Sequence, residues 1–164
     1  MDEQVLRYRE AKLMEPIYRM YKVIEQTDTV KAQTLMSVAM QYIIEHFRGK
    51  NLQPKDVQQI LRAVLLQEES GHYYALYVNN EIQVKAAEWL TLLAVDRPVT
   101  LELLGKMANA LAQKIEGRDC IKLSAEDVFI MLEQIVAPVD EIVLERLYLN
   151  KENYLAELRT FLVQ

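Results

Sequence analysis

The sequence predicts an all-α protein, a single-domain bundle of six to eight helices spanning residues 1–164, and two observations support this. Hydrophobic residues make up 51% of the chain and recur every three or four positions, which is the spacing of one face of an α-helix. Only four glycines and four prolines interrupt 164 residues, so long helices are favoured over many tightly turned strands. A chain of this length can bury a large core.

Each of the first three predicted helices has an apolar stripe and residues that start or stop a helix. The first stripe contains Pro16, which predicts a kink or a restart because proline removes a backbone donor. The run Thr-Asp-Thr at 27–29 offers capping side chains for a second helix, and Gly49 ends it. Pro54 suits the first residue of a third helix, which ends at Ser70-Gly71.

Residues 72–96 are consistent with two structures. The apolar spacing runs unbroken through Asn79-Asn80 and favours one long helix. An aromatic-rich start, the Asn pair and the alternation over 81–85 also fit a short β-hairpin near 72–85. The helix is the preferred interpretation.

The last third of the chain has clear helix boundaries. Thr100 opens a helix that Gly117 ends, and Ser124 with Asp127 resembles a capping box at the start of the next. Pro138 breaks that helix. From about 140 to 162 the pattern predicts one helix, or two meeting near Asn150.

A faint internal repeat links residues 49–57 and 117–128. Each segment follows a helix ending in glycine and passes through Leu-x-x-x-Asp-Val into the next helix. One interpretation is a duplicated helix–loop–helix unit around 30–66 and 100–136. The other is that unrelated connections of this kind converge on the same pattern.

The stretch from Met107 to Ile135 resembles the end of a histone-fold motif. A long helix leads there through Gly-Arg into an acidic-capped helix, with Arg118 and Asp127 where that family pairs an arginine with an aspartate. The resemblance covers under a fifth of the chain and implies a helix-pairing role.

Chemistry-bearing motifs are sparse, so the sequence predicts no metal, no cofactor and no catalytic residue. Glu69-x-x-His72 is half of a di-iron pattern, but the position three before His46 is Ile43. There is no Gly-x-Ser-x-Gly and no phosphate-binding glycine loop. A small helical enzyme with a site assembled from scattered residues stays as an alternative.

The cysteine content bears on the cellular location of the protein, and its net charge bears on nucleic-acid binding. The single cysteine, Cys120, cannot form an internal disulfide, and no apolar run is long enough to span a membrane, so the expected location is the cytoplasm. The net charge of −5 disfavours nucleic-acid binding. A nucleic-acid-binding regulator stays as an alternative, using a basic segment that comprises Arg48, Lys50, Lys55 and Arg62.

Two features favour a protein partner, either a different protein or a second copy of this chain. Tyr73, Tyr74 and Tyr77 cluster beside His72, and tyrosine is enriched in binding hot spots, although these rings also suit the core. Between residues 123 and 145 lie six acids and no Lys or Arg. The candidate contact residues in this acidic stretch are Glu126, Asp127 and Glu133.

The function predicted from the sequence is therefore a non-enzymatic helical protein–protein interaction module. It would serve as an adaptor, a regulator, a chaperone-like protein or a subunit of an assembly, and it would bind through an apolar or aromatic helix face.

Overall fold

The computed structural model describes residues 3–68 and 71–163, without the side chains of residues 4–9, and within those ranges it is built from α-helices with no strand. The prediction of an all-α, multi-helix protein is confirmed. The eight helices of the described residues are α1 (Glu3–Glu25), α2 (Thr29–His46), α3 (Pro54–Leu66), α4 (His72–Leu93), α5 (Leu101–Ile115), α6 (Ala125–Val136), α7 (Glu141–Leu149) and α8 (Lys151–Arg159).

Two helices settle points that the sequence left open. Helix α4 is continuous from His72 to Leu93, so the alternative of a hairpin near 72–85 is wrong. Its buried side chains recur at positions 74, 77, 78, 81 and 82. This is the spacing of one helix face, whereas one side of a strand would bury every second residue. Helix α1 runs through Pro16 without restarting.

The C-terminal region consists of two helices that meet at Asn150. The backbone of Asn150 leaves helical geometry, with φ −105° and ψ 10°. Its side-chain amide donates to the Arg146 carbonyl over 2.9 Å. The same carbonyl also accepts the Asn150 backbone N–H at 3.2 Å, so the side chain and the backbone of Asn150 both close the end of α7.

The backbone contacts divide the chain into two compact units, Met1–Tyr77 and Val78–Gln164. In the first unit, α1, α2 and α3 contact one another, and they bury apolar side chains that include Ile17, Met20, Leu35 and Leu61. In the second unit, α6 contacts α5, α7 and α8. Its core includes Leu111, Phe129, Leu147 and Phe161. The prediction of a single domain stays a prediction.

The two repeated segments have the same local geometry. Gly49 and Gly117 both have positive φ, 72° and 85°, a backbone region that glycine enters without steric cost. Asp56 and Asp127 each occupy the third position of a capping box. Asp127 accepts a hydrogen bond from the backbone of Ser124, and no ion pair joins it to Arg118 within residues 3–68 and 71–163.

No helix in the described part of the chain combines the length and the apolar character that crossing a membrane requires.

Candidate functional site: the outer face of helix α7

Helix α7 is fixed at its start by Asp140. One carboxylate oxygen of Asp140 accepts the backbone N–H groups of Ile142 and Val143, each at 2.9 Å, so it caps the helix. Arg97 donates to both oxygens of the same carboxylate, at 3.1 to 3.3 Å. One side chain therefore both starts α7 and ties it to the segment that follows α4.

The same contacts lower the pKa of Asp140 below its ordinary value of 3.8, first through the Val143 N–H and then through Arg97. Because the pKa is depressed in the folded state, the stabilisation is present above pH 4 and is lost as the pH falls through the folded pKa.

We expect Asp140→Asn to be less stable than wild type at neutral pH, because the amide removes the charge that Arg97 pairs with. The difference in melting temperature should shrink as the pH falls below about 4, since wild-type Asp140 then loses its charge too. Thermal unfolding followed by circular dichroism from pH 7 to acid checks this, with Asp119→Asn as the exposed control. A difference that stays constant with pH would contradict it.

Arg146 fixes the middle of α7. It is the only cation of this helix, and it donates to the carbonyls of Leu93 and Val95 at 2.9 and 2.8 Å. Helix α4 has no basic residue in its last turn, so Arg146 supplies the positive charge that suits the negative end of its dipole. Helix α7 is thereby anchored at its start by Asp140 and within its second half by Arg146.

The outer face of α7 carries large apolar side chains. Leu149 is 78% exposed, whereas Leu147, two residues before it, is fully buried. Ile142 lies seven residues before Leu149, on the same side of the helix, and is also exposed. We use the name α7 face for the exposed surface of this helix, which consists of Glu141, Ile142, Glu145, Tyr148 and Leu149. Together with Leu144, these residues line a shallow, open depression of about 490 Å³.

Tyr148 joins the α7 face to α6. Its hydroxyl donates to the Glu133 carboxylate at 3.0 Å. This hydrogen bond is the main reason that the pKa of the Tyr148 phenol is raised. Glu133 thus borders the α7 face, and its negative charge adds to those of Glu141 and Glu145.

The three acids predicted to contact a partner have different roles. Glu133 borders the α7 face, as described above. Asp127 caps α6. Glu126 forms an ion pair with Arg159, and its pKa is lowered first by a hydrogen bond from its own backbone N–H and then by Arg159. The structure therefore brings only one of the three to the α7 face.

The predicted tyrosine cluster does not form a surface. Tyr74 and Tyr77 are fully buried, and the Tyr77 hydroxyl donates to Gln58. The structure corrects their assignment as contact residues, because helical spacing turns both rings into the core. Tyr73 is half-buried and packs its ring edge-on against His72.

The basic segment is exposed around the turn between α2 and α3. Arg48, Lys50 and Lys55 are exposed, and Arg62 is half-buried within α3. We call the first three residues, which lie within positions 48–55 of the chain, the basic turn.

The residues considered for metal binding and catalysis have different surroundings. His46 is exposed and stacks on Tyr42, while Cys120 is buried, which raises the pKa of its thiol. Glu69 lies outside the described residues. Within the described ranges, no three His, Cys, Asp or Glu side chains are grouped so that they could hold a metal ion.

Four residues of this site were not predicted from the sequence: Ile142, Leu149, Arg97 and Arg146. Residues 141–149 contain five Ile, Val or Leu residues and one Tyr, so nearly every side of this helix is apolar and the pattern does not indicate which side faces solvent. The two arginines act on groups more than 40 residues away in the chain, and local spacing carries no signal for such contacts.

Comparison with known proteins identifies no relative. No protein-family model matches the chain, and neither the curated proteins nor the solved structures contain a match.

Proposed function

We propose that this chain is a non-enzymatic, helical protein-interaction module that binds its partner through the α7 face. The observation that carries the proposal is that α7 is anchored by Asp140 and Arg146 while it presents Ile142 and Leu149 to solvent. An adaptor, a regulator, a chaperone-like protein or an assembly subunit would all use such a surface.

Helix α7 is both held in place and exposed on one side, and the two properties together suit it to binding. Apolar side chains scattered singly on a surface are common. Here Ile142 and Leu149 share one helix face, and Tyr148 lies beside them with its hydroxyl already bound. An anchored helix loses little conformational entropy when a partner docks on it, and apolar residues seven apart are typical anchors of a helix that packs into a groove.

Acidic residues on the α7 face add specificity. Glu141 and Glu145 are exposed on the α7 face, and Arg146 is engaged with the Leu93 and Val95 carbonyls. At 3.6 residues per turn, Glu141 and Glu145 lie between Tyr148 and Leu149 around the helix, so the α7 face combines apolar and negative groups. This arrangement favours a partner whose own apolar contact is flanked by cations, because complementary charge sets orientation and speeds encounter.

A cytoplasmic location is part of this proposal. It is supported by the single buried Cys120, since a reducing compartment favours chains that need no cysteine pairs.

Site-specific photocrosslinking tests the proposal. A photoreactive phenylalanine analogue placed at Leu149, in cells that make the protein naturally, should yield a discrete covalent adduct with a protein. Leu101 in α5 is the matched control, because it is 76% exposed against 78% for Leu149. The same analogue at Leu101 should yield no such adduct.

A second substitution then links the adduct to the rest of the face. Adding Ile142→Asp should abolish the adduct at Leu149, whereas adding Val30→Asp in α2, which is also exposed, should leave it intact. The absence of an adduct at Leu149, or equal adducts at Leu149 and Leu101, would overturn the proposal.

A further inference from the structure

We infer that the partner of the α7 face is a second copy of this chain, whose basic turn of Arg48, Lys50 and Lys55 lies against it. This inference rests on the proposed function, since it takes the α7 face to be a protein-binding surface. It adds the identity of the partner and the residues that meet.

The charge of the chain is divided unevenly between its two units. Residues 78–164 contain 14 acidic and 9 basic residues, whereas residues 1–77 contain 10 of each. The whole net charge of −5 therefore belongs to the second unit. Within that unit, the stretch from Leu123 to Glu145 has no Lys or Arg, and it includes Glu141, Ile142 and Glu145 of the α7 face.

The basic turn provides the opposite charge on a fixed backbone. Its cations are exposed, and Gly49 at φ 72° together with the hydrogen bond from Lys50 N–H to the Phe47 carbonyl sets the path of the chain. The nearby carboxylate of Asp56 accepts the Gln53 N–H at 2.9 Å in the α3 capping box. Glu45 is the one other acid in residues 44–56.

Apolar groups border the basic turn as well. Ile44 is well exposed at the end of α2, Pro54 is exposed at the start of α3, and Phe47 is half-buried between them. These side chains match Ile142 and Leu149 in character, while the cations match Glu141 and Glu145. Exposed ion pairs by themselves add little affinity, so the apolar groups hold the two surfaces together and the charges set which surfaces meet.

The contact joins two different surfaces of the same chain. Made reciprocally by two copies it closes a two-fold dimer, whereas made head to tail it continues into a filament or closes into a ring. In each case both surfaces are used, so reversing the charge on either one should block self-association.

Charge reversal followed by mixing tests the inference. The acid-reversed variant carries Glu141→Lys and Glu145→Lys, and the base-reversed variant carries Arg48→Glu and Lys50→Glu. Sedimentation velocity over a wide range of protein concentration should show that wild type associates more weakly as salt rises. Each variant alone should associate about tenfold more weakly than wild type or worse.

An equimolar mixture of the two variants should regain association, because each then meets a surface of opposite charge. The mixture also shows that neither variant has simply unfolded. A control with Glu88→Lys and Glu116→Lys changes the total charge equally at exposed sites outside α7 and should associate like wild type.

The outcomes separate this inference from the proposed function. A wild type that is monomeric at every concentration, or a mixture that does not regain association, overturns the second-copy inference. In that case an adduct between Leu149 and a different protein keeps the proposed function. A fluorescent DNA duplex that binds wild type and not the base-reversed variant would assign the basic turn to nucleic acid, and would overturn the inference as well.

Discussion

Replacing Phe129 with alanine should lower the free energy of unfolding by about 3–5 kcal/mol, because the ring is fully packed and its removal leaves a cavity. Phe129 is 1% exposed in α6, the helix that contacts α5, α7 and α8. The Lys151 ammonium also lies 5.5 Å from the ring centre, and that contact is lost too. Urea unfolding followed by circular dichroism measures the change.

Ile130 is the matched control for this experiment. It is the next residue of α6 and is 51% exposed, so Ile130→Ala should change stability by only about 0.5 kcal/mol. If Phe129→Ala and Ile130→Ala had equal effects, the assignment of the buried side of α6 would be wrong. The packing of α6 also affects the α7 face, because Glu133 of α6 accepts the hydrogen bond from the Tyr148 hydroxyl.

Replacing Leu61 with alanine should lower stability by about 2–5 kcal/mol, and it also tests the prediction of a single domain. Leu61 is fully buried in α3, in the first unit. The only tryptophan, Trp89, lies in the second unit, where it stacks on Tyr154 and donates to Glu157 at 2.8 Å. Tryptophan fluorescence therefore reports the second unit, while circular dichroism reports all the helices.

In a single cooperative domain, Leu61→Ala shifts the urea midpoint seen by fluorescence together with that seen by circular dichroism. We expect this result, because α4 begins in the first unit and continues without a break into the second. Gln59→Ala, at an exposed position of α3, should shift neither midpoint appreciably. A fluorescence midpoint that stays at its wild-type value in Leu61→Ala would show two separately folding units.

Much of the local structure followed from the order of residues alone. Asp28, Thr100 and Ser124 each accept a backbone N–H from three residues ahead and cap the start of a helix. The sequence predicts helix starts in these same three segments. Gly49 and Gly117 adopt positive φ where helices end. Capping, glycine termination and apolar spacing act within four residues, so a sequence contains all the information that they need.

The α7 face was decided by tertiary structure. Leu147 and Leu149 are chemically identical and two residues apart, yet one is buried and the other is exposed. What separates them is the position of α7, which Arg97 and Arg146 set through contacts with groups 43 to 53 residues away in the chain. Helical spacing places Tyr74 and Tyr77 on one side of α4, and distant groups such as Gln58, which accepts from the Tyr77 hydroxyl, make that side part of the core. A side chain's type indicates that it can be buried, and its distant neighbours determine whether it is.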